Sequence, residues 1–131
     1  MTDWRFLDRA LILAIHEEQL ARHGGGIGLR DEGLLESALA RPLNTAAYNT
    51  EADAATLAAA YAFGIAKDPP FIDGNKRAAF VAMEMFLMDN GFALAASDED
   101  ALIAMLRLAS SEIGEEAFAE WVRRWLVHTA E

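Results

Sequence analysis

Apolar residues recur at helical spacing along most of the chain. The clearest example starts at Glu115, after which the apolar positions are Phe118, Trp121, Val122, Trp125 and Leu126. That spacing places one apolar stripe along one face of an amphipathic helix. Residues 54–66 are apolar on nearly all sides, which indicates a central helix packed by several neighbours. The pattern predicts an all-α fold, a single compact domain over residues 1–131 built from about six helices. No segment gives a convincing strand, and residues 92–95 are expected to form a short extended link.

Local signals predict where the first helices begin and end. The first helix is expected over residues 4–22, where the glycine-rich residues 24–28 end it. Asp31 is a candidate N-cap for a short second helix, and Pro42 is expected to stop that helix. The polar residues 42–53 then read as an irregular link to the central helix.

Composition limits the classes of function. The formal charge of −10 argues against non-specific nucleic-acid binding, which requires lysines and arginines to neutralise phosphates. The chain has no cysteine, so disulfides and thiolate metal sites are excluded. No N-terminal stretch has the form of a signal peptide, and no apolar run has the length of a membrane span. These features predict a cytoplasmic protein.

The histidines give no metal-binding pattern. His16 and His23 lie within or just after the first predicted helix, with no carboxylate at a known ligand spacing. We expect both side chains to face solvent, with His16 on the side of the helix away from its apolar face. His128 is distant from them in sequence.

Residues 67–77 concentrate groups that suit a phosphate. Pro69 and Pro70 stop the central helix, and the turn-forming residues 73–75 begin the next one, expected over residues 75–90. The first N–H groups of a helix have no partner within it, and the helix dipole favours an anion there. The sequence therefore predicts an anion site at a helix N-terminus.

Charge in this stretch supports that prediction. The chain has two lysines, Lys67 and Lys76, and both belong to the stretch, as does Arg77. Gly74 lets a ligand approach the backbone closely. A purely structural interpretation stays open, in which Asp73 and Asn75 cap the helix and Arg77 pairs with an acidic residue such as Glu84.

The same stretch resembles the signature of the Fic/Doc family, His-Pro-Phe-x-Asp-Gly-Asn-Lys-Arg. The matching residues are Pro70, Phe71, Asp73, Gly74, Asn75, Lys76 and Arg77. Pro69 stands at the first position, where the family carries its catalytic histidine.

The resemblance implies a site for ATP and Mg²⁺. Asp73 would hold the metal as a catalytic residue, and Phe71 would bury the loop. Gly74, Asn75, Lys76 and Arg77 would bind phosphate with backbone and side-chain groups. A flap in such folds positions the target segment, and residues 42–53, with Tyr48 as their aromatic residue, would be its counterpart.

The Asn-Lys-Arg variant is similar to the Doc branch, which implies a toxin that transfers the γ-phosphate of ATP to elongation factor Tu and blocks translation. The resemblance also implies a partner antitoxin, Phd-like, whose C-terminal helix covers the site. The alternatives are an AMP-transferring Fic-type enzyme and a non-catalytic helical module that binds nucleotide or antitoxin. No direct nucleic-acid or membrane partner is expected.

Pro69 changes the expected activity. In the family the histidine acts as general base, a role that contributes typically about 10²–10⁴-fold to the rate. Proline has no titratable group, and a solvated Asp68 beside it is a weak base near neutral pH. We therefore expect a Doc-type scaffold with its phosphate site intact and its catalysis impaired.

Overall fold

A computed structural model describes residues 3–129. Six helices and two short strands follow one another in chain order: α1 (Arg9–His23), α2 (Glu32–Tyr48), α3 (Ala54–Lys67), α4 (Asn75–Asp89), β1 (Phe92–Leu94), α5 (Asp98–Ala109), α6 (Glu115–Trp125) and β2 (Leu126–His128). The prediction of an all-α fold of about six helices is confirmed.

The apolar helix α3 lies at the centre and packs against α2, α4, α5 and α6. Its small residues let the neighbouring helices approach closely. A Cβ atom added at Gly64 would lie 3.2 Å from the Cα atom of Ala38 in α2. Leu57, Tyr61 and Ile65 supply the large buried side chains at steps of four. Burial of one such side chain contributes roughly 1.5–3 kcal/mol, so α3 holds the start of the loop that follows it in a fixed place.

Helix α1 begins later than predicted. Asp8 is its N-cap and accepts a hydrogen bond from the N–H of Leu11 at 2.9 Å. The preceding residues pack on the core instead of extending the helix, and the rings of Trp4 and Phe6 both lie 6.0 Å from the ring of Phe86. Residues 4–8 are therefore outside the helix, because tertiary packing and the Asp8 cap decide its start.

Helix α2 continues through Pro42, so the predicted stop at this residue is wrong. Proline in a helix costs about 3 kcal/mol or more, since it removes one donor and crowds the preceding turn. Here Pro42 is buried, so packing offsets this cost, and the hydroxyl of Thr45 donates to the carbonyl of Arg41 at 2.9 Å in the same part of the helix. The irregular link therefore shrinks to residues 49–53, and Tyr48 at the end of α2 is 92% exposed.

Two short strands are present although no segment of the sequence indicated a convincing one, and the first of them lies in the segment expected to be extended. Strands β1 and β2 form an antiparallel pair in which Leu94 lies opposite Leu126. The N–H of Ala95 donates to the carbonyl of Trp125 at 2.7 Å, which ends α6 and turns Leu126 into the strand. The helical spacing of Leu126 was misleading because this pairing joins segments distant in the sequence.

Candidate functional site

The loop between α3 and α4, residues 68–74, is held by the loop between α1 and α2, residues 24–31. The N–H groups of Arg30 and Asp31 donate to the carbonyl of Pro70 at 2.6 and 3.1 Å. The N–H of Ile72 donates to the carbonyl of Gly28 at 3.1 Å. The segment that borders this loop is therefore residues 24–31. The flap expected over residues 42–53, of which residues 42–48 belong to α2, stays a prediction.

Phe71 anchors the loop in the core, where it is 1% exposed. The side chain of Asn75 closes the loop from the other side. Its Oδ1 accepts from the N–H of Phe71, and its Nδ2 donates to the carbonyl of Phe71, both at 3.0 Å. The Asn75 amide is thus engaged in shaping the loop, a task that the sequence did not indicate, and its backbone N–H is the group left for a ligand.

Asp73 points its carboxylate at two backbone N–H groups. Oδ1 accepts from Gly74 at 2.8 Å, and Oδ2 accepts from Gly26 at 3.2 Å. These hydrogen bonds lower the pKa of Asp73, and the positive charge of Arg77 adds a smaller effect in the same direction. The carboxylate is therefore ionised at neutral pH and exposed at the surface of the loop.

The N-terminus of α4 lacks a side-chain cap. Its N-cap is Gly74, which has a left-handed backbone with φ 76° that glycine adopts readily. Within residues 3–129, the N–H groups of Asn75, Lys76 and Arg77 have no hydrogen-bond acceptor. Such free donors, together with the helix dipole, form a binding site for an anion.

Two cations stand beside these donors. Lys76 and Arg77 are exposed, and neither forms an ion pair in the part of the chain that the structure describes. A pair between Arg77 and Glu84, the structural alternative, is not formed there. Both cations line a cleft of about 360 Å³ that also contains Pro69 and Asp73. The structure thus gathers the negative group, the positive groups and the free N–H donors around one opening.

His16 is the residue that sequence reasoning misjudged. It was expected to face solvent, but it is 4% exposed and lies against the loop. Its ring stacks on Phe71 with centroids 3.7 Å apart and planes within 6°, and its Nε2 lies 2.7 Å from the carbonyl oxygen of Asp73. A signal was present, because His16 follows Ile12 by four residues and so shares its face. His23 is exposed, as expected.

Two further basic residues have roles that the sequence did not reveal. Lys67 points away from the cleft, and its Nζ bonds the hydroxyl of Ser111 and the carbonyl of Ala109. Arg30 instead reaches the loop, where Nε and Nη2 donate to the carbonyl of Pro69 at 3.0 and 2.7 Å. The cationic part of the cleft therefore comes from Lys76 and Arg77.

Groups of three or more potential metal-ligating side chains do not occur within residues 3–129. No helix in that range is both long and apolar enough to cross a membrane.

Comparison with known proteins gives a consistent result. The Fic/DOC family matches residues 6–87, a range that includes the loop and most of α4. Over 113 residues the chain is 31% identical to "Protein kinase doc" of Escherichia phage P1, covering 86% of this chain and 89% of that protein. It is also 43% identical over 75 residues to "Toxin Doc" of Mycolicibacterium smegmatis, covering 56% of this chain and 57% of that protein.

Proposed function

We propose that this chain, which belongs to the Fic/DOC family, is the toxin of a toxin–antitoxin pair and binds ATP with its phosphates at the N-terminus of α4. One observation carries the proposal. One cleft is bordered by the ionised Asp73, by the cations Lys76 and Arg77, and by the N–H groups of residues 75–77. Among the described residues, 3–129, these cations have no ion-pair partner and these N–H groups have no acceptor. This combination suits a polyphosphate that carries a divalent cation.

Asp73 fits the magnesium ion that the family implies. Mg²⁺ prefers oxygen ligands and commonly takes one or two carboxylates together with substrate phosphates and water. A single exposed carboxylate with a lowered pKa beside an anion site meets that requirement. A dense cluster of acidic residues is unnecessary, because the phosphates supply the remaining ligands. When bound, the metal would neutralise charge on the phosphates.

The proposed reaction transfers the γ-phosphoryl group of ATP to a Ser or Thr hydroxyl of elongation factor Tu. A bond forms between the hydroxyl oxygen and the γ-phosphorus, and the bond from that phosphorus to the bridging oxygen of ADP breaks. Catalysis of this kind depends chiefly on positioning and charge stabilisation. Lys76 and Arg77 would supply the positive charge, and the backbone N–H groups of residues 75–77 would orient the phosphates.

The attacking hydroxyl must also lose its proton, and here the chain is deficient. Pro69 lines the cleft at the position of the family's histidine and offers no titratable group. The lowered pKa of Asp73 makes that carboxylate a poor base, and His16 directs Nε2 at a carbonyl oxygen. Asp68 is exposed at the end of α3 and does not line the cleft. We therefore propose that transfer is slow in this chain while nucleotide binding is retained.

An antitoxin helix has a suitable groove beside the cleft. Phe80, Val81, Leu102 and Met105 line an apolar depression of about 240 Å³ that also borders Lys76 and Arg77. An amphipathic helix that places apolar side chains there and an acidic group against the two cations would cover the phosphate site. We propose that the C-terminal helix of a Phd-like antitoxin inhibits the protein in this way.

A paired transfer assay tests the proposal. The chain, Pro69→His and Pro69→Ala are each incubated with elongation factor Tu and Mg·ATP labelled at either the γ- or the α-phosphate. We expect γ-label on the acceptor with Pro69→His, at a rate higher by about 10²–10⁴-fold than with the original chain. Pro69→Ala controls for loss of the proline ring and should stay as slow as the original.

The other outcomes separate the alternatives. Label from the α-phosphate would indicate AMP transfer in place of phosphoryl transfer. Equal γ-transfer by the original chain and Pro69→His would contradict the impaired catalysis. If the original chain binds no Mg·ATP and Pro69→His is also inactive, the non-catalytic helical module is the only hypothesis that remains.

A further inference from the structure

The peptide unit that joins Asp73 to Gly74 is bound at both of its polar atoms. Its carbonyl oxygen lies 2.7 Å from Nε2 of His16, and its N–H donates to the Asp73 carboxylate at 2.8 Å. The C=O and N–H of one peptide unit share a rigid plane. The plane therefore cannot rotate unless both hydrogen bonds break together.

This peptide unit needs such a restraint because of its position. Gly74 has φ 76°, and glycine passes between positive and negative φ at low cost, so a peptide flip next to it is easy. A flip would reverse the peptide dipole immediately before the free donors of α4. It would also detach the Asp73 carboxylate from the Gly74 N–H and change its direction at the mouth of the cleft.

His16 has the geometry of a fixed donor. A carbonyl oxygen only accepts hydrogen bonds, so Nε2 of His16 must carry the proton in this contact. The ring cannot swing away easily, because it is buried and stacked flat on Phe71. Phe71 is itself held through its backbone by Asn75, the first residue of α4. The imidazole thus connects α1 to the start of α4 through its stacking on Phe71 and its hydrogen bond to the carbonyl of Asp73.

We propose that His16 is a positioning residue of the phosphate site, whose Nε2–H holds the Asp73–Gly74 peptide in the orientation that binds the nucleotide. The inference rests on the proposed function, since it names the residue that prepares this site for Mg·ATP. His16 touches neither nucleotide nor metal in this role. Its contribution is to keep the carboxylate of Asp73 and the donors of α4 directed at one ligand.

Two substitutions of similar size separate the hydrogen bond from packing. Gln places an N–H donor close to the position of Nε2, whereas Met has a similar length and no donor. We expect His16→Met to bind Mg·ATP about tenfold more weakly, because it loses the hydrogen bond that holds this carbonyl. His16→Gln should recover most of the affinity. Calorimetric titration well below each variant's melting temperature limits the measurement to folded protein.

The results distinguish a failure of this inference from a failure of the proposed function. If the original chain binds Mg·ATP and His16→Met binds it equally well, the role of His16 is refuted. Equal weakening by Met and Gln would assign the effect to packing and would also overturn the proposal. Absence of Mg·ATP binding by the original chain, by contrast, would refute the proposed function.

A second measurement uses the unsubstituted chain and so does not depend on a variant that folds. Nitrogen-15 NMR of the imidazole distinguishes the two tautomers of a neutral histidine. We expect the His16 proton on Nε2 at neutral pH, and a Gly74 amide proton shifted by its bond to the carboxylate of Asp73. A neutral His16 with its proton on Nδ1 would rule out the proposed hydrogen bond from Nε2 to the carbonyl of Asp73, whether or not nucleotide binds.

Discussion

The starts of α3 and α4 contain the same kinds of residue and use them differently. Each helix follows an aspartate with a lowered pKa, and each has an arginine nearby. At α3 the carboxylate of Asp53 caps the helix by accepting from the N–H and the hydroxyl of Thr56 at 2.9 and 2.7 Å. Arg123 then donates two hydrogen bonds to the same carboxylate, at 2.7 and 3.0 Å.

At α4 the corresponding bonds are not made. Gly74 occupies the N-cap, so the carboxylate of Asp73 turns back to the loop, and Lys76 and Arg77 are left without acidic partners among the described residues. A closed helix start contributes to the stability of the fold, whereas an open one retains binding capacity for a ligand. The comparison therefore distinguishes charged side chains that stabilise the fold, at the start of α3, from charged side chains available to a ligand, at the start of α4.

The largest expected difference between the two helix starts is in nucleotide binding. Replacing both Lys76 and Arg77 with Ala should weaken Mg·ATP binding by about 10–100-fold, because charge-assisted hydrogen bonds contribute roughly 1.5–3 kcal/mol. The free energy of unfolding should change by no more than about 0.5 kcal/mol, since neither side chain forms an ion pair within residues 3–129. Calorimetric titration and urea unfolding give the two quantities.

Arg123→Ala is the matched control for that pair. It should lower stability and leave the Mg·ATP affinity unchanged, because Arg123 pairs with Asp53 at the other helix start. A loss of stability in the double variant, together with a loss of nucleotide affinity in Arg123→Ala, would contradict this assignment. The start of α4 would then stabilise the fold, and the start of α3 would bind the nucleotide.

A second prediction concerns Asn75. Its side-chain amide bonds the backbone of the loop before α4, residues 68–74, as the carboxylate of Asp53 bonds the first turn of α3. Asn75→Ala should lower the free energy of unfolding by about 1–3 kcal/mol, because it leaves the backbone N–H and carbonyl of Phe71 unpaired. Asn44→Ala, at an exposed position in α2, should change stability very little. Equal urea midpoints for the two variants would show that the loop does not depend on the Asn75 amide.

The third prediction divides the stabilisation at α3 into its two parts. Asp53→Ala removes both the cap and the ion pair and should cost about 1–2 kcal/mol. Asp53→Asn keeps a good N-cap residue and loses only the charge, so it should cost less than about 1 kcal/mol. Thermal unfolding of both variants measures the division. No loss of stability with Asn would mean that the ion pair does not stabilise the fold, and equal losses with Asn and Ala would mean that the cap does not.

The smallest expected effect is the acid dependence of stability. Hydrogen bonds from Arg123 and Thr56 lower the pKa of Asp53, so its contribution is complete above the unfolded value of about 3.9 and is lost as pH falls towards the folded value. The stability of the original chain should thus fall more steeply than that of Asp53→Asn below about pH 4. Urea unfolding at a series of acidic pH values gives both slopes.

Glu84 changes the pH dependence of stability in the opposite direction. Its contribution is the same in the original chain and in Asp53→Asn, so it cancels when the two slopes are compared. Burial raises its pKa, and the charge of Asp98 raises it further. Its unfavourable effect on stability therefore increases as pH rises through the acidic range, equally in both proteins. Parallel slopes for the original chain and Asp53→Asn would show that Asp53 has no such linkage.

Much of this architecture was available from the sequence because it depends on neighbours in the chain. Uniformly apolar residues identified α3 as the central helix, and the turn before Asn75 indicated where α4 begins with its free donors. The residues of the stretch itself pointed to the family and to a phosphate site. These signals involve helical spacing, turn chemistry and capping, which act over a few residues.

Tertiary structure decided what local signals could not. Pro42 remains within α2 because buried packing compensates for its intrinsic cost, and Leu126 enters a strand because it meets Leu94 across the sheet. His16 becomes part of the site because α1 packs against the loop, an arrangement that joins residues 57 positions apart. Spacing along a helix shows which side chains share a face, whereas the partner of that face depends on how the helices pack.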